Sequence, residues 1–330
     1  MTSLYRQLLK KAWYITRKFR YLWPLGIFVA FLGNGSEYQV LFKQTANVNL
    51  QPDTVAVWKE NLNAILPALN FSGGRVFSAS ISLVFGLAVL ILLLWLIISS
   101  LGGLIKGAAA ADKEERYKFS MLIKEGHKKF WPILGLNIIA KVIVYGILIL
   151  ILTPLMLATF AQGNQSANLL VILLTFLIFI PLTVNVSLAT KYASAGVVLN
   201  NEKMWPAFKN GWRMFSANWL ISLEMALVIF IINLLVGLAF VLLSVILFAP
   251  FFFFGVVYTI SSPSLFSVLI YISITLLLIA SVFVGSGLAV FQTSSWTLLY
   301  LKLASGAKVY SKIVRWVAMM PSKFKKREIE

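Results

Sequence analysis

Between Arg20 and Lys302 the chain carries six long apolar stretches: Tyr21–Gly33, Val76–Ile105, Trp131–Phe160, Leu169–Thr190, Trp219–Ala249 and Leu265–Tyr300. All but the first exceed the roughly 20 helical residues that cross ~30 Å of hydrocarbon. A backbone facing lipid must satisfy its own hydrogen bonds, and these runs lack the apolar/polar alternation of a membrane barrel. Helices are therefore the expected spanning elements. With 60% hydrophobic and 12% charged residues, a soluble domain is excluded. The expected fold is all-α: a single integral membrane domain over residues 1–330, a polytopic helical bundle of six transmembrane helices in three hairpins. The spans are expected at about 21–42, 76–105, 131–160, 169–190, 219–249 and 265–300.

Basic residues fix the expected threading. Of 29 Lys and Arg, six fall in residues 1–20, seven in 106–130, four in 191–217 and eight in 301–330. Only Lys43, Lys59 and Arg75 lie in the alternate connections, and Lys141 lies within a span. The positive-inside tendency then puts both termini in the cytoplasm of a multi-pass protein of the cell membrane, with 43–75 as an outer segment. The first apolar stretch is short enough for a re-entrant segment or a signal-peptide core. Re-entry would move the basic segment 106–130 outside, and the long aromatic lead with no A-x-A site disfavours cleavage. Tyr21–Gly33 is read as the core of a helix running on towards Phe42, with Arg17, Lys18 and Arg20 snorkelling at its end.

A net charge of +18 would imply nucleic acid in a soluble protein, but its placement here implies an anionic inner leaflet and no nucleic acid. Four cytoplasmic segments carry apolar stripes: Leu8–Ala12–Ile15–Phe19, Ile123–His127–Phe130–Leu134, Phe208–Trp212–Phe215–Trp219 and Val309–Ile313–Trp316–Met320. Lys or Arg occupies the opposite face of each, so basic amphipathic helices in the headgroup layer are expected. Ordinary basic flanks of membrane helices would produce much of the same pattern. On the outer side, Trp58, Leu62, Ile65 and Leu69 mark a further interfacial helix. The phospholipid bilayer is thus the expected partner, together with another membrane protein if the bundle serves as a scaffold.

Repetition within the chain points the same way. Ile123–Phe130 recurs as Phe208–Phe215, Trp23-Pro24-Leu25 resembles Trp131-Pro132-Ile133, and Lys191-Tyr192-Ala193-Ser194 matches Lys302-Leu303-Ala304-Ser305. The simplest unit is a basic surface helix followed by a helical hairpin, repeated three times in parallel. Aligning Gly126 with Gly211 places Lys141 and Glu224 at nearly equal depth on the third and fifth spans. A lone charge in hydrocarbon costs at least ~2.5–3.5 kcal/mol, so the two are expected to pair. With Asn137, Asn185, Gln292 and Ser295 they would line a polar pocket in the inner half of the bundle. The plainer reading is a structural ion pair with interhelical amide hydrogen bonds.

Catalytic motifs are missing. Zero cysteines remove thiol catalysis and thiolate metal sites, and one histidine, His127, cannot build H-E-x-x-H. No aspartate lies within a span, which excludes aspartyl intramembrane proteolysis. Gly285-Ser286-Gly287 lacks a nearby base by any sequence cue, and Gly103-x-x-x-Gly107 suits close helix approach rather than phosphate binding. The sequons at Asn34, Asn70 and Asn164 fall on expected outer loops. No cofactor, metal or catalytic residue is expected.

The runs Leu22-Trp23-Pro24-Leu25-Gly26, Gly33-Asn34-Gly35-Ser36-Glu37-Tyr38, Lys191–Leu199, Ala207–Trp212 and Thr297-Leu298-Leu299-Tyr300 together resemble prokaryotic multi-pass proteins similar to the membrane domain of glycerophosphoryl diester phosphodiesterases. The resemblance covers nearly the whole chain. It implies a helical membrane module, and it carries over no catalytic residue, because catalysis in that family belongs to a separate soluble barrel for which this chain has no room. The function expected is a membrane scaffold or lipid-associated accessory module that is not itself an enzyme. The alternative is a transporter for a small or lipid-like substrate, using a pocket around Lys141, Glu224 and Asn185.

Overall fold

The computed structural model describes residues 4–32, 73–161, 165–261 and 263–306, and among these there is no strand. The helices are α1 (Leu4–Lys18), α2 (Trp23–Ala30) after a 3-10 turn at Arg20–Leu22, α3 (Gly73–Asp112), α4 (Phe119–Lys128), α5 (Phe130–Ala161), α6 (Gln165–Leu199), α7 (Met204–Ala217), α8 (Trp219–Ser261) and α9 (Pro263–Ala304). Five contain segments long and apolar enough to cross a membrane: Ser80–Asp112, Phe130–Leu150, Leu177–Leu199, Trp219–Phe254 and Ser267–Ala304. In α3, α8 and α9 only 6% of the most apolar window is buried, so Phe85 and Ile91, or Leu238 and Ile246, stand outward, as on helices that face a bilayer. The first expected span is represented by the turn and α2, which ends at Ala30; its continuation towards Phe42 lies outside the described residues. So do residues 43–72 of the outer segment, the sequon asparagines and the stripe from Val309 to Met320, while residues 73–75 open α3.

Two compact units make up the chain. One comprises residues 32–97 and 139–186, where Val144, Leu148, Phe179 and Val186 form an apolar cluster flanked by Ala140, Ile143 and Tyr145. The other comprises residues 1–31, 98–138 and 187–330. Within this second unit a short helix lies against the end of a long one three times: α1 on α9, α4 on α3 and α7 on α6.

Glycines explain the docking of α4 on α3 and of α7 on α6. A Cβ on Gly103 would lie 2.6 Å from the Leu122 carbonyl oxygen, and one on Gly126 would run into the Ser99 carbonyl. One on Gly211 would meet the Ala189 carbonyl oxygen and the Ala193 amide nitrogen, each at 2.7 Å. Bare backbone is what lets these helices touch. The long partners end alike, each turning on a left-handed residue: Glu114 (φ 62°), Asn201 (φ 56°) and Gly306 (φ 68°). Such a residue closes a helix by redirecting the following N–H groups to its last carbonyls, as Glu115 N–H to Ala110 O at 3.0 Å does here.

Two expectations are corrected. The stripe of α1 is buried as drawn, at Leu8, Ala12, Ile15 and Phe19, but its cover is protein rather than headgroups. On α4 and α7 protein covers a face beside the expected stripe: Leu122 and Gly126, and Ala207 and Gly211, are buried, each one residue before the stripe residues Ile123, His127, Phe208 and Trp212, and Phe215 of the stripe is buried with them, while His127, Trp212 and Trp219 are exposed. Each residue turns a helix by ~100°, and glycine wins the inner position because the tight approach has no room for a ring. The Lys191/Lys302 match also fails as a structural equivalence. Lys191-Tyr192-Ala193-Ser194 lies inside α6, well before the Asn201 turn, whereas Lys302-Leu303-Ala304-Ser305 closes α9. Trp23-Pro24 and Trp131-Pro132 do occupy matching places, at the first turns of α2 and α5, where proline costs no helical hydrogen bond.

Candidate functional site

A polar cleft of about 410 Å³ opens where the ends of α6 and α9 meet α7. It forms because α6 stops at Leu199 and Asn201 throws the chain back, carrying the Glu202 N–H towards the Gly196 carbonyl oxygen at 3.4 Å. Glu202 then folds against α6 over Gly196, where a Cβ would stand 3.2 Å from its Oε2. Asn210 Nδ2 on α7 donates to Glu202 Oε2 at 3.1 Å, and Asn200 Nδ2 lies 3.5 Å from Oε1 and 2.8 Å from Tyr300 Oη on α9. Arg213, Asn218 and Tyr192 complete the wall. Ser222 Oγ donates to Asn218 O at 2.9 Å, so the 2.7 Å contact between Tyr192 and Ser222 is a donation from the tyrosine hydroxyl. Below the cleft the Lys191 ammonium sits 4.7 Å from the centre of the Trp296 ring, a cation–π contact.

The cleft offers one carboxylate and one guanidinium, and among the described residues Glu202 and Arg213 do not pair with each other. The carboxylate is oriented by amides, which fix its direction without neutralising it. No group of three or more His, Cys, Asp or Glu that could hold a metal occurs among the described residues.

Several residues expected to line an inner pocket make hydrogen bonds or ring contacts that can be named. Gln292 Nε2 donates to Asn233 Oδ1 at 2.8 Å, an interhelical amide bond between α9 and α8. Asn137 Nδ2 donates to the Ile133 carbonyl of its own helix at 2.8 Å. Glu224 accepts a short hydrogen bond from the Tyr5 hydroxyl of α1. Lys141 and Asn185 belong to the other unit, where the Lys141 ammonium lies 5.9 Å from the Tyr145 ring centre and Asn185 is half-buried on α6. Lys141 is eleven residues beyond Phe130, the first residue of α5, and Glu224 only five beyond Trp219, the first of α8. Ser295 bonds its own helix at the Phe291 carbonyl.

Ser286 plays the packing part expected of it: its hydroxyl donates to the Trp23 carbonyl at 2.5 Å, and a Cβ on Gly26 would meet its backbone oxygen at 2.6 Å. Gly107 likewise lies under Leu22 and Leu122. Sequence reasoning missed the cleft because Asn200 and Tyr300 are a hundred positions apart. The available signal was the polar run Asn200-Asn201-Glu202-Lys203 immediately after a span.

No curated protein and no solved structure matches the chain. A family model described as a domain of unknown function, DUF7847, matches residues 40–300, a range that holds α3 to α8, most of α9 and nearly all of the cleft wall. The chain belongs to the DUF7847 family.

Proposed function

We propose that the protein is a membrane scaffold or lipid-associated accessory module without covalent chemistry of its own, threaded six times through the cell membrane with both termini cytoplasmic. The observation that carries this reading is the docking of α4 and α7 through bare glycine backbone, which turns Trp205, Trp212 and basic side chains such as Lys209 and Arg213 outward at the ends of the spans. Exposed tryptophan beside Lys and Arg is the composition of a helix held at headgroup level. The concentration of basic residues in alternate connections supports the orientation, and the three short-on-long dockings support a threefold repeat. The resemblance to phosphodiesterase membrane domains fits a module that serves an activity located elsewhere.

A second reading, transport of a small or lipid-like substrate, is favoured by the cleft between α6, α7 and α9. In either reading Lys141 and Glu224 remain a proposed pair, tested by a double-mutant cycle with Lys141→Met and Glu224→Gln on thermal stability. The functional test uses the full chain in lipid nanodiscs and in sealed vesicles. A scaffold retains anionic lipid against neutral lipid by native mass spectrometry and shows no protein-dependent solute flux. Flux without anionic-lipid retention rejects the scaffold reading in favour of transport.

A further inference from the structure

We propose that the cleft at the end of α6 binds a zwitterionic phosphate ester bearing a primary amine, a headgroup of the phosphoethanolamine type, with the ammonium on Glu202 and the phosphate on Arg213. This rests on the lipid-associated reading above and names the ligand of that surface.

Charge decides the ligand class. A simple anion drawn to Arg213 would meet the Glu202 carboxylate in the same cleft, and a simple cation drawn to Glu202 would meet the guanidinium. A ligand carrying both charges a few bonds apart satisfies both walls. Among the described residues Glu202 and Arg213 do not pair with each other, so both side chains face the cleft for a ligand.

Hydrogen bonding decides between amine types. Glu202 is held by the Asn210 and Asn200 amides, one on each oxygen, and its remaining lone pairs accept further donors. A primary ammonium supplies three donors, whereas a trimethylated one supplies none and is recognised by open aromatic faces. Here the Tyr192 ring packs against Trp296 at 6.2 Å and Tyr300 at 6.5 Å between centroids, so an aromatic cage is not offered.

Position decides the source. Arg213 follows Trp212, which is 43% exposed, and Trp205 and Trp219 flank the same segment at 54% and 56%. Tryptophans at helix ends seat at headgroup depth, which sets the mouth of the cleft among lipid phosphates. The volume of 410 Å³ lies within the range of small-ligand pockets.

The test places the full chain in nanodiscs holding equal amounts of phosphatidylethanolamine, its N-methylated series up to phosphatidylcholine, and phosphatidylglycerol, and reads retained lipid by native mass spectrometry. Phosphatidylethanolamine should be enriched about tenfold over phosphatidylcholine, the effect of a charge-assisted hydrogen bond. Glu202→Gln should abolish that preference, and Arg213→Gln should lower retention of every headgroup. The headgroup comparison in the unaltered protein needs no variant, so a variant that fails to fold leaves the test intact. Titration with O-phosphoethanolamine is the second arm. Binding that needs Glu202 supports the site with a free solute as its source, and binding of the lipid alone supports it with the bilayer as its source. Equal retention of phosphatidylethanolamine and its N-methylated series overturns the assignment. If anionic lipid is still retained in that case, the scaffold reading survives; protein-dependent flux with amine selectivity intact removes the scaffold reading and keeps the site.

Discussion

A methyl group at Gly126 has nowhere to go, since the Ser99 carbonyl and the Gly103 amide already fill the space beside it. Gly126→Ala and Gly211→Ala should each destabilise the protein by about 1–3 kcal/mol, the usual cost of forcing extra volume into a tight contact. Gly306→Ala should cost about 1 kcal/mol for a different reason, its left-handed backbone, because no atom crowds its Cβ position. Thermal unfolding followed by size-exclusion fluorescence in detergent separates these outcomes. Glu224 supplies another residue-scale test through its bond from Tyr5. A hydroxyl donating to a carboxylate contributes about 1.5–3 kcal/mol. Tyr5→Phe and Glu224→Gln should therefore be non-additive by about 1–2 kcal/mol in a double-mutant cycle, and simple additivity would show that the bond contributes nothing.

Among the helices, polar pairs decorate dockings that burial creates. Lys11 meets Asp112 at 2.6 Å and Lys18 meets Glu114 at 3.5 Å, tying α1 to the end of α3, but such exposed pairs contribute only about 0–1 kcal/mol each. On α4, the hydrogen bond from Lys128 to Glu125 holds that carboxyl below its ordinary value of 4.5. A depressed carboxyl stabilises the fold above its unfolded value and loses that stabilisation as pH falls through its lowered folded value. Lys128→Met should thus cost about 0.3 kcal/mol near neutral pH and nothing in stronger acid, as read by thermal unfolding in a pH series at low salt. Hydropathy made the five helices long and apolar enough to cross a membrane legible in the sequence. The faces of α4 and α7 were less so. Periodicity marked His127 and Trp212 for the headgroup layer but did not mark the glycines beside them as the protein-facing positions, because hydrophobic pattern carries no record of interhelical distance. The cleft was illegible for a related reason: a left-handed turn at Asn201 and a tyrosine on a distant helix build it together.

At the scale of the whole molecule the proposed threading can be tested directly, since the chain has no native cysteine. A single cysteine at Gln165 should react with an impermeant maleimide from outside intact cells, while cysteines at Glu114 and Glu202 should react only after permeabilisation. Outside labelling at either of the latter two would overturn the six-span orientation. The rest of the consequence lies in the seating of α1 on α9. A ribosome makes α1 before α9, so α1 is synthesised before the surface that buries Leu8, Ala12 and Ile15 exists. Until then it must wait with that stripe uncovered, on the membrane surface or on a chaperone, while the intervening spans insert. Closure joins segments nearly three hundred residues apart, which makes it a slow step and a late one. The docking of α1 is therefore among the last steps of assembly, although α1 is made before the helix it docks on.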